Sequence, residues 1–153
     1  MEQSLTFAKK VIKNFEGLSL KAYQCSAGFW TIGYGHKAVD VFEGRVIDLA
    51  EAELLLESDV GHFARVVEEY VKAPLNNGQF TALVSFVFNL GEQRLLHSTM
   101  LRKLNDSDYI GVSNEFIRWN KAKIDGKLEV VDGLTKRRNE EKDIFNGVVV
   151  EQL

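Results

Sequence analysis

The sequence predicts an α+β domain that is mainly helical, and three observations lead to this class. Apolar residues recur at helical spacing near the amino terminus. A short region rich in aromatic and β-branched residues, with turn signals inside it, comes next. Helical patterns then occupy most of the remaining chain, whose 153 residues suit one compact domain.

The first predicted helix spans residues 4–15, and its apolar side chains share one face. These side chains are Leu5, Ala8, Val11, Ile12 and Phe15. Gly17 follows the last turn, as glycine commonly does after a helix. Glu16 is therefore expected at a helix end, from which its side chain can project into a cleft.

Residues 20–47 are predicted to form a small antiparallel sheet. The segments "LKAYQC" and "FWTIGYG" have strand composition and are separated by the turn signal "SAG". The segment "RVI" is expected to be the last short strand. Asp48 then begins a helical pattern that runs to about Val71, and together with Glu51 it resembles a capping box.

The remaining elements are predicted to be helices and loops. Pro74, the only proline, and "NNG" interrupt the helical pattern. Residues 79–90 are strongly apolar and predict a buried central helix that Gly91 closes. Shorter helices are predicted at about 96–105, 107–123 and 134–146, and "IDGKLEVVDG" is predicted to be a loop.

Composition and charge indicate whether a nucleic acid or another polyanion is an expected partner. Hydrophobic residues make up 45% of the chain and the formal net charge is −3, so no nucleic-acid partner is expected. Residues 118–142 contain eight basic and five acidic side chains, a net of +3. Solvated helix faces explain this excess, and a surface that tolerates a polyanion is the alternative.

The amino terminus and the single cysteine bear on where the protein works. One cysteine cannot form an internal disulfide. Lysines interrupt the apolar residues of "MEQSLTFAKKVIKNFEG", so no signal peptide is expected there. No apolar run has the length of a membrane span. We therefore expect a protein made soluble in a cytoplasm.

Three side chains within "NFEGLSLKAYQCSAGFWTIGYGH" could take part in acid–base chemistry, namely Glu16, Cys25 and Thr31. A carboxyl in a partly apolar pocket keeps its proton near neutral pH, because desolvation disfavours the anion. Aromatic side chains that could line such a pocket are Phe15, Tyr23, Phe29, Trp30 and Tyr34. Each candidate also fits a structural role, as a surface acid, a small buried thiol and a strand former.

Other chemistries find little support in the sequence. His36, His62 and His97 are far apart and lack the spacing of zinc ligands. Cys25 and His36 could form a thiol–imidazole pair, but no cysteine-hydrolase signature surrounds them. The segment "GYG" lacks the context of a phosphate-binding loop. No metal or organic cofactor is expected.

The order of Glu16, Cys25 and Thr31, followed by "IGYGH", resembles the catalytic segment of the phage-type lysozymes, glycoside hydrolase family 24. That family has Glu, then Asp or Cys, then Thr at this spacing. "QFTALVSFVFNLG" is similar to its central buried helix. "STMLRKLN" and "GLTKRRNEEKDIFNG" are similar to its later helices, so the resemblance extends over nearly the whole chain.

The resemblance implies a muramidase that hydrolyses the β-1,4 bond between N-acetylmuramic acid and N-acetylglucosamine in peptidoglycan. By motif match, Glu16 is the general acid, Cys25 occupies the second catalytic position and Thr31 helps to hold the attacking water. Residues matching positions that line the substrate cleft are Phe88, Asn89 and Thr99. A structural pair is implied as well, formed by His36 and Asp59.

The resemblance also implies one lysozyme-like domain over residues 1–153, with a cleft between two lobes. The small lobe, which contains the sheet, is expected at about 14–58. A connecting helix is expected at about 59–72. The helical lobe is expected at about 75–153, together with the helix at 4–15.

Cys25 leaves the details of the reaction open. In an inverting glycosidase a second carboxylate, roughly 6.5–9.5 Å from the acid, activates water on the opposite face of the sugar. Cys25 stands at that position, yet an unperturbed thiol has a pKa of about 8.5 and is mostly protonated at neutral pH. The thiol could be a base, a nucleophile or a spacer beside an ordered water, with an inverting or a retaining outcome.

Two classes of function follow from these residues, and a helical adaptor domain is a third. An active muramidase is favoured over a module that binds peptidoglycan without cutting it, because a binder needs no acid at the position of Glu16. The expected partner is cell-wall peptidoglycan, without nucleic acid or stable membrane insertion, and the default state is a monomer. We expect the protein to wait in the host bacterial cytoplasm and to reach the wall after holin-dependent release, during lysis by a phage or prophage.

Overall fold

The computed structural model describes residues 2–148 and has a mainly helical α+β fold. The first half of the chain contains α1 (Glu2–Glu16), β1 (Ser19–Gln24), β2 (Trp30–Gly33), α2 (Leu49–Tyr70) and α3 (Asn77–Leu90). The second half contains α4 (Glu92–Leu96), α5 (Thr99–Asn105), α6 (Tyr109–Glu115), a 3₁₀ turn (Phe116–Trp119), β3 (Lys121–Ile124), β4 (Lys127–Val130) and α7 (Asp132–Phe145). The predicted domain limits at residues 1 and 153 lie outside the described residues.

Helix α1 forms as predicted and begins two residues earlier. Its apolar stripe is buried, with Ala8, Val11 and Ile12 inaccessible to solvent. Gly17 has a φ of +69° and its N–H donates to the carbonyl of Lys13 at 3.0 Å, which closes the last turn. Glu16 is consequently the last residue of the helix.

The small sheet has two strands rather than three. β1 and β2 are antiparallel and pair Tyr23 with Thr31. The third strand predicted at "RVI" is wrong, because Val46 makes only an isolated bridge with Lys21. The segment has no room for a longer ladder, since Asp48 already caps the next helix two residues later.

Helix α2 begins where the capping signal predicts. The Asp48 carboxylate accepts the backbone N–H of Glu51 at 2.8 Å. The helix is continuous to Tyr70, so the predicted connecting helix at 59–72 is the latter part of a longer helix.

The buried apolar side chains form two groups. The smaller group joins the sheet to the start of α2, and it contains Ala22, Ile32, Val41, Ile47 and Ala52. The larger group fills the space between the helices. Two groups are compatible with two lobes, and the lobe limits of 14–58 and 75–153 stay predictions.

Helix α3 is the central helix predicted over 79–90. Every side chain from Phe80 to Val87 is buried, and α3 packs against α1, α2 and α7. Asn76 and Gln79 form a reciprocal capping box at its start. Gly91, with a φ of +93°, ends the helix as predicted, and its N–H donates to the carbonyl of Val87 at 2.8 Å.

The carboxyl-terminal third differs from the prediction at several points. The loop predicted at "IDGKLEVVDG" is wrong, because β3 and β4 form an antiparallel hairpin there. Asp125 and Gly126 make its two-residue turn with φ values of +51° and +83°. Asp-Gly is a strong hairpin signal, so the sequence did contain the information. The helix predicted at 96–105 is divided by Ser98, which caps α5. The helix predicted at 107–123 is wrong at its end, because α6 ends at Glu115, a 3₁₀ turn follows to Trp119, and residues 121–123 belong to β3.

Among residues 2–148, no helix combines the length and the apolar character that crossing a membrane requires.

Candidate active site

The carboxyl group of Glu16 is held by a residue from the far end of the chain. One guanidinium nitrogen of Arg137, on α7, donates to Oε2 of Glu16 at 2.5 Å. The side chains of Arg137 and Glu16 are only 7% and 13% exposed. A charge-assisted contact in so dry a place is stronger than it would be at the surface.

Arg137 is itself fixed on several sides. Its Nε donates to Glu141 at 3.3 Å, and its Nη2 donates to the carbonyl and hydroxyl oxygens of Ser85 at 3.2 and 3.3 Å. The guanidinium carbon lies 4.7 Å from the centre of the Phe15 ring. These contacts leave Nη1 as the nitrogen that meets Glu16.

The second oxygen of Glu16 faces the backbone of the loop after β2. Gly35 has a φ of +72°, and a Cβ atom placed there would lie 2.6 Å from Oε1 of Glu16. Glycine is therefore required both by its backbone conformation and by the close approach of the carboxylate. This contact orients Oε1, while Oε2 is taken by Arg137.

Cys25 follows β1 in the turn that joins it to β2, and Thr31 is the second residue of β2. The N–H of Cys25 donates to the carbonyl of Phe29 at 2.9 Å, and the carbonyl of Cys25 accepts the N–H of Gly28 at 2.8 Å. Thr31 is buried and its hydroxyl donates to the carbonyl of Phe29 at 3.1 Å. The turn thus holds both candidates through local bonds.

The surroundings of Cys25 favour its thiolate. Burial is the largest single influence and alone would raise the pKa of the thiol, and hydrogen bonds from the backbone at Phe29 and Ala27 act against it. The charge of Lys37 and a hydrogen bond with Thr31 act in the same direction, and the net pKa is lowered. A thiol with a lowered pKa is more readily deprotonated near neutral pH.

Tyr23 links the two regions electrostatically. Burial raises the pKa of its phenol, and the charges of Glu16 and Cys25 raise that pKa further. Both groups therefore lie within electrostatic reach of one side chain on β1. The aromatic pocket is less closed than the composition suggested, since the ring of Phe29 is 61% exposed.

The predicted cleft residues occupy different settings. Phe88 packs edge-to-face against Phe63 of α2, with ring centres 5.5 Å apart, so its ring also belongs to the core. The side-chain oxygen of Asn89 accepts from Arg138 at 2.9 Å. Thr99 is the first residue of α5 and is half-buried. Their contact with substrate stays a prediction.

The structural pair predicted at His36 and Asp59 forms a direct contact. Nδ1 of His36 lies 2.7 Å from Asp59, and Nε2 lies 3.1 Å from Asp40, which Arg45 also contacts. The hydrogen bond with Asp59 raises the pKa of His36, burial opposes it, and the charges of both aspartates add to the rise. The contributions of Asp40 and Arg45 are not predicted by any pattern in the sequence.

Sequence reasoning missed the charged residues of α7. The basic excess at 118–142 was interpreted as a solvated face or a polyanion surface, yet Arg137 and Arg138 are buried. A signal existed: Glu141 stands four residues after Arg137 and three after Arg138, the spacings at which oppositely charged side chains on a helix meet. The helix also has few apolar residues to bury.

The fold and the shielded carboxyl at the end of α1 are those of a lysozyme-like glycoside hydrolase. The family model for phage lysozyme matches residues 13–141, so the chain belongs to the phage lysozyme family. The resemblance found in the sequence, the α+β fold class and the assignment as a lysozyme are confirmed.

Named relatives agree with this family. An endolysin of Acyrthosiphon pisum secondary endosymbiont phage 1 is 46% identical over 135 residues, which cover 88% of this chain and 92% of that protein. A SAR-endolysin of bacteriophage PS119 is 36% identical over 129 residues, covering 84% of this chain and 75% of that protein.

Solved structures with the same fold include two that cover nearly all of this chain. The endolysin from Escherichia coli O157:H7 phage FAHEc1 has a TM-score of 0.83 at 36% identity, covering 95% of this chain and 92% of that one. The muramidase domain of SpmX from Asticaccaulis excentricus has a TM-score of 0.82 at 35% identity, with coverage of 91% and 94%.

Proposed function

We propose that this chain is a muramidase that cleaves the β-1,4 bond between N-acetylmuramic acid and N-acetylglucosamine during lysis of a host cell by a phage or prophage. The observation that carries the proposal is the carboxyl of Glu16, which is shielded at the end of α1 and, among residues 2–148, is hydrogen-bonded through Oε2 alone. Relatives named endolysin and muramidase support the same class of activity. The alternative of a non-cutting binding module has no support among them.

Glu16 is the proposed general acid. Protonated Oε1 gives its proton to the glycosidic oxygen as the bond to the sugar breaks. The guanidinium of Arg137, on Oε2, stabilises the carboxylate that forms as the proton leaves. Gly35 keeps Oε1 in place from the other side.

Cys25 is the proposed base, and Thr31 the proposed holder of the attacking water. The lowered pKa of the thiol supports a thiolate that takes a proton from that water. The single hydroxyl hydrogen of Thr31 can go to the carbonyl of Phe29 or to the thiolate of Cys25, and in either case a lone pair of its oxygen can accept a bond from water.

Phe88, Asn89 and Thr99 are the proposed contacts to the glycan. The oxygen of Asn89 is bound by Arg138, so the amide nitrogen is the part of that side chain that is available to a sugar. The expected partner is the glycan strand of bacterial cell-wall peptidoglycan, bound by a monomer.

Release from the host cytoplasm through a holin is part of the proposal. The name SAR-endolysin among the relatives indicates that other routes of release occur in this family. Expression of the chain in a bacterial host, with and without a co-expressed holin, distinguishes the routes. We expect rapid lysis only with the holin, and equal lysis without it would contradict this part of the proposal.

The deciding experiment replaces Glu16 with Gln. Glutamine keeps the shape but cannot donate a proton, so turbidity loss of permeabilised Gram-negative cells should slow by about 10²–10⁴-fold. Circular dichroism should show an intact fold. Glu43→Gln, at an exposed glutamate, is the matched control and should lyse normally. Near-parental turnover of Glu16→Gln would exclude Glu16 as the acid, and glycan binding without turnover by the parent would favour the binding module.

A further inference from the structure

The buried carboxylate of Glu141 is surrounded by donors. Its Oε2 accepts from Ser85 at 2.6 Å, from Arg138 at 3.1 Å and from Arg137 at 3.3 Å. Its Oε1 lies 2.7 Å from Nε of Arg138, an ion pair whose angle falls outside hydrogen-bond geometry. The side chain is 0% exposed, and no part of the mechanism above uses it.

The position of Glu141 explains how Arg137 meets Glu16. A free guanidinium tends to bind a carboxylate through two nitrogens at once. Here Glu141 holds the Nε edge and Ser85 holds Nη2, so a single N–H of Nη1 reaches Glu16. One oxygen of the acid therefore stays free of the guanidinium.

The charges of this cluster balance only when Glu141 is included. Arg137 and Arg138 are adjacent in sequence and buried, and Glu16 and Glu141 are the carboxylates they meet. Burial lowers the pKa of Arg138, the charge of Glu141 raises it, and that of Arg137 lowers it further. Without Glu141, two guanidiniums would act on Glu16 alone and favour its anion.

We propose that Glu141 is a positioning residue for the reaction, which keeps Arg137 in a one-bond contact with Glu16 and leaves the other oxygen of the acid to the substrate. This inference rests on the proposed role of Glu16 as the general acid. Glu141 acts only through Arg137, because its own carboxylate is sealed in the protein.

The first test is Glu141→Gln, compared with the parent in rate and pH profile. The groups that face Glu16 from other elements are Tyr23 on β1 and Arg137 and Arg138 on α7. Loss of the charge of Glu141 leaves the two cations dominant, so the alkaline limb of activity should move to lower pH. The misplaced acid should lower kcat by roughly 10–100-fold with little change in KM.

A matched control and a second variant keep the test decisive. Glu140→Gln, the neighbouring glutamate on the same helix, makes the same change of charge and should leave rate and profile unaltered. Arg138→Met combined with Glu141→Gln removes the buried pair without leaving an unbalanced charge. In this double variant the alkaline limb should return towards the parental pH while kcat stays low, because Nε of Arg137 still lacks support.

The outcomes separate the two proposals. If Glu16→Gln is active, the assignment of the acid has failed. If Glu16→Gln is inactive while folded Glu141→Gln keeps the parental kcat and pH profile, only the positioning role is overturned. Should Glu141→Gln fail to fold, parental kcat in the double variant overturns the role, and a lowered kcat with unchanged KM supports it. Loss of the Arg138 bond to Asn89, a proposed glycan contact, would instead appear in KM.

Discussion

Glu16 and Cys25 lie in two regions that hold their reactive groups by different means. The carboxyl of Glu16 is fixed by Arg137, 121 positions later in the chain, through a buried ionic contact. The thiol region is fixed by bonds within a single turn, between Cys25, Gly28 and Phe29. The acid therefore depends on how α1, α3 and α7 pack, whereas the proposed base depends on a local hairpin.

The two regions also differ in burial, and burial decides how much a lost ionic contact changes the free energy of unfolding. The cluster around Arg137 is closed to water, while the turn near Cys25 carries a ring of Phe29 that is 61% exposed. An unpaired charge strongly destabilises the folded protein in the buried cluster and destabilises it little in the exposed turn. Substitutions should accordingly affect stability in the α7 cluster and mainly chemistry in the turn.

The largest expected effect comes from Arg137→Met. The change leaves the carboxylates of Glu16 and Glu141 without this partner in a dry place, and unfolding should become easier by about 3–5 kcal/mol. Urea denaturation measures the loss. Lys37→Met, a lysine beside the Cys25 turn, is the control and should cost less than about 1 kcal/mol. Equal losses for both variants would remove the distinction between the regions.

Gly35→Ala and Gly28→Ala compare the regions directly. Both glycines have a positive φ, of +72° and +87°, so both variants carry similar backbone strain. Only at Gly35 would the new Cβ collide with Oε1 of Glu16, while at Gly28 no atom lies within 4 Å. Lysis should slow by roughly 100-fold for Gly35→Ala and far less for Gly28→Ala. Similar rates for the two variants would show that the close approach does not orient the acid.

Cys25 should control the acid limb of activity. If the thiolate is the base, activity rises with pH as the thiol ionises and falls as Glu16 loses its proton. Because the thiol pKa is lowered, the rise should occur below the ordinary cysteine value of about 8.5. Cys25→Asp should keep activity and move the rise to lower pH, since a carboxylate ionises near about 3.9.

Cys25→Ser is the comparison that decides this point. Serine nearly preserves size but does not ionise in this range, so activity at neutral pH should fall by roughly 10-fold or more. Lysis as fast as the parent at every pH would leave Cys25 as a spacer beside the water near Thr31. A glycosyl adduct on Cys25, detected by mass spectrometry, would identify it as a nucleophile instead.

The smallest effect is expected at His36 and Asp59, a long-range ionic contact in the same part of the chain as Cys25. A double-mutant cycle with His36→Asn and Asp59→Asn should give a coupling of about 1 kcal/mol, after allowance for solvent screening. Additive losses would mean that the contact contributes nothing. A coupling as large as the loss in Arg137→Met would break the comparison between buried and partly exposed charge.

The pH dependence of this coupling has a definite sign. The pKa of His36 is raised in the folded protein, so its contribution is fully present below the unfolded value of about 6.5 and is lost as pH rises through the folded pKa. Asp40 behaves oppositely: burial alone would raise its pKa, but bonds to His36 and Arg45 lower it. The stability that Asp40 contributes through these bonds is lost as pH falls through the folded pKa of Asp40.

Local patterns gave most of the fold in advance. The stripe of α1, the cap at Asp48 and the stop at Gly91 depend on neighbouring residues, and all three appear as predicted. The hairpin at Asp125 and Gly126 was equally local and was missed because its turn signal was read as a loop. The extra strand at "RVI" was predicted from composition, which does not say how many residues remain before the next helix cap.

The sequence by itself determined the family, the order of elements and the spacing of Glu16, Cys25 and Thr31, because each depends on short local patterns of residues. It did not determine which charged side chains are buried. An arginine or glutamate on a helix can be solvated or paired, and its neighbours in sequence look the same in both cases. Only the packing of α1 and α7 against α3 brings Arg137 to Glu16 and buries Glu141 next to Arg137, where desolvation makes each charge dependent on the others.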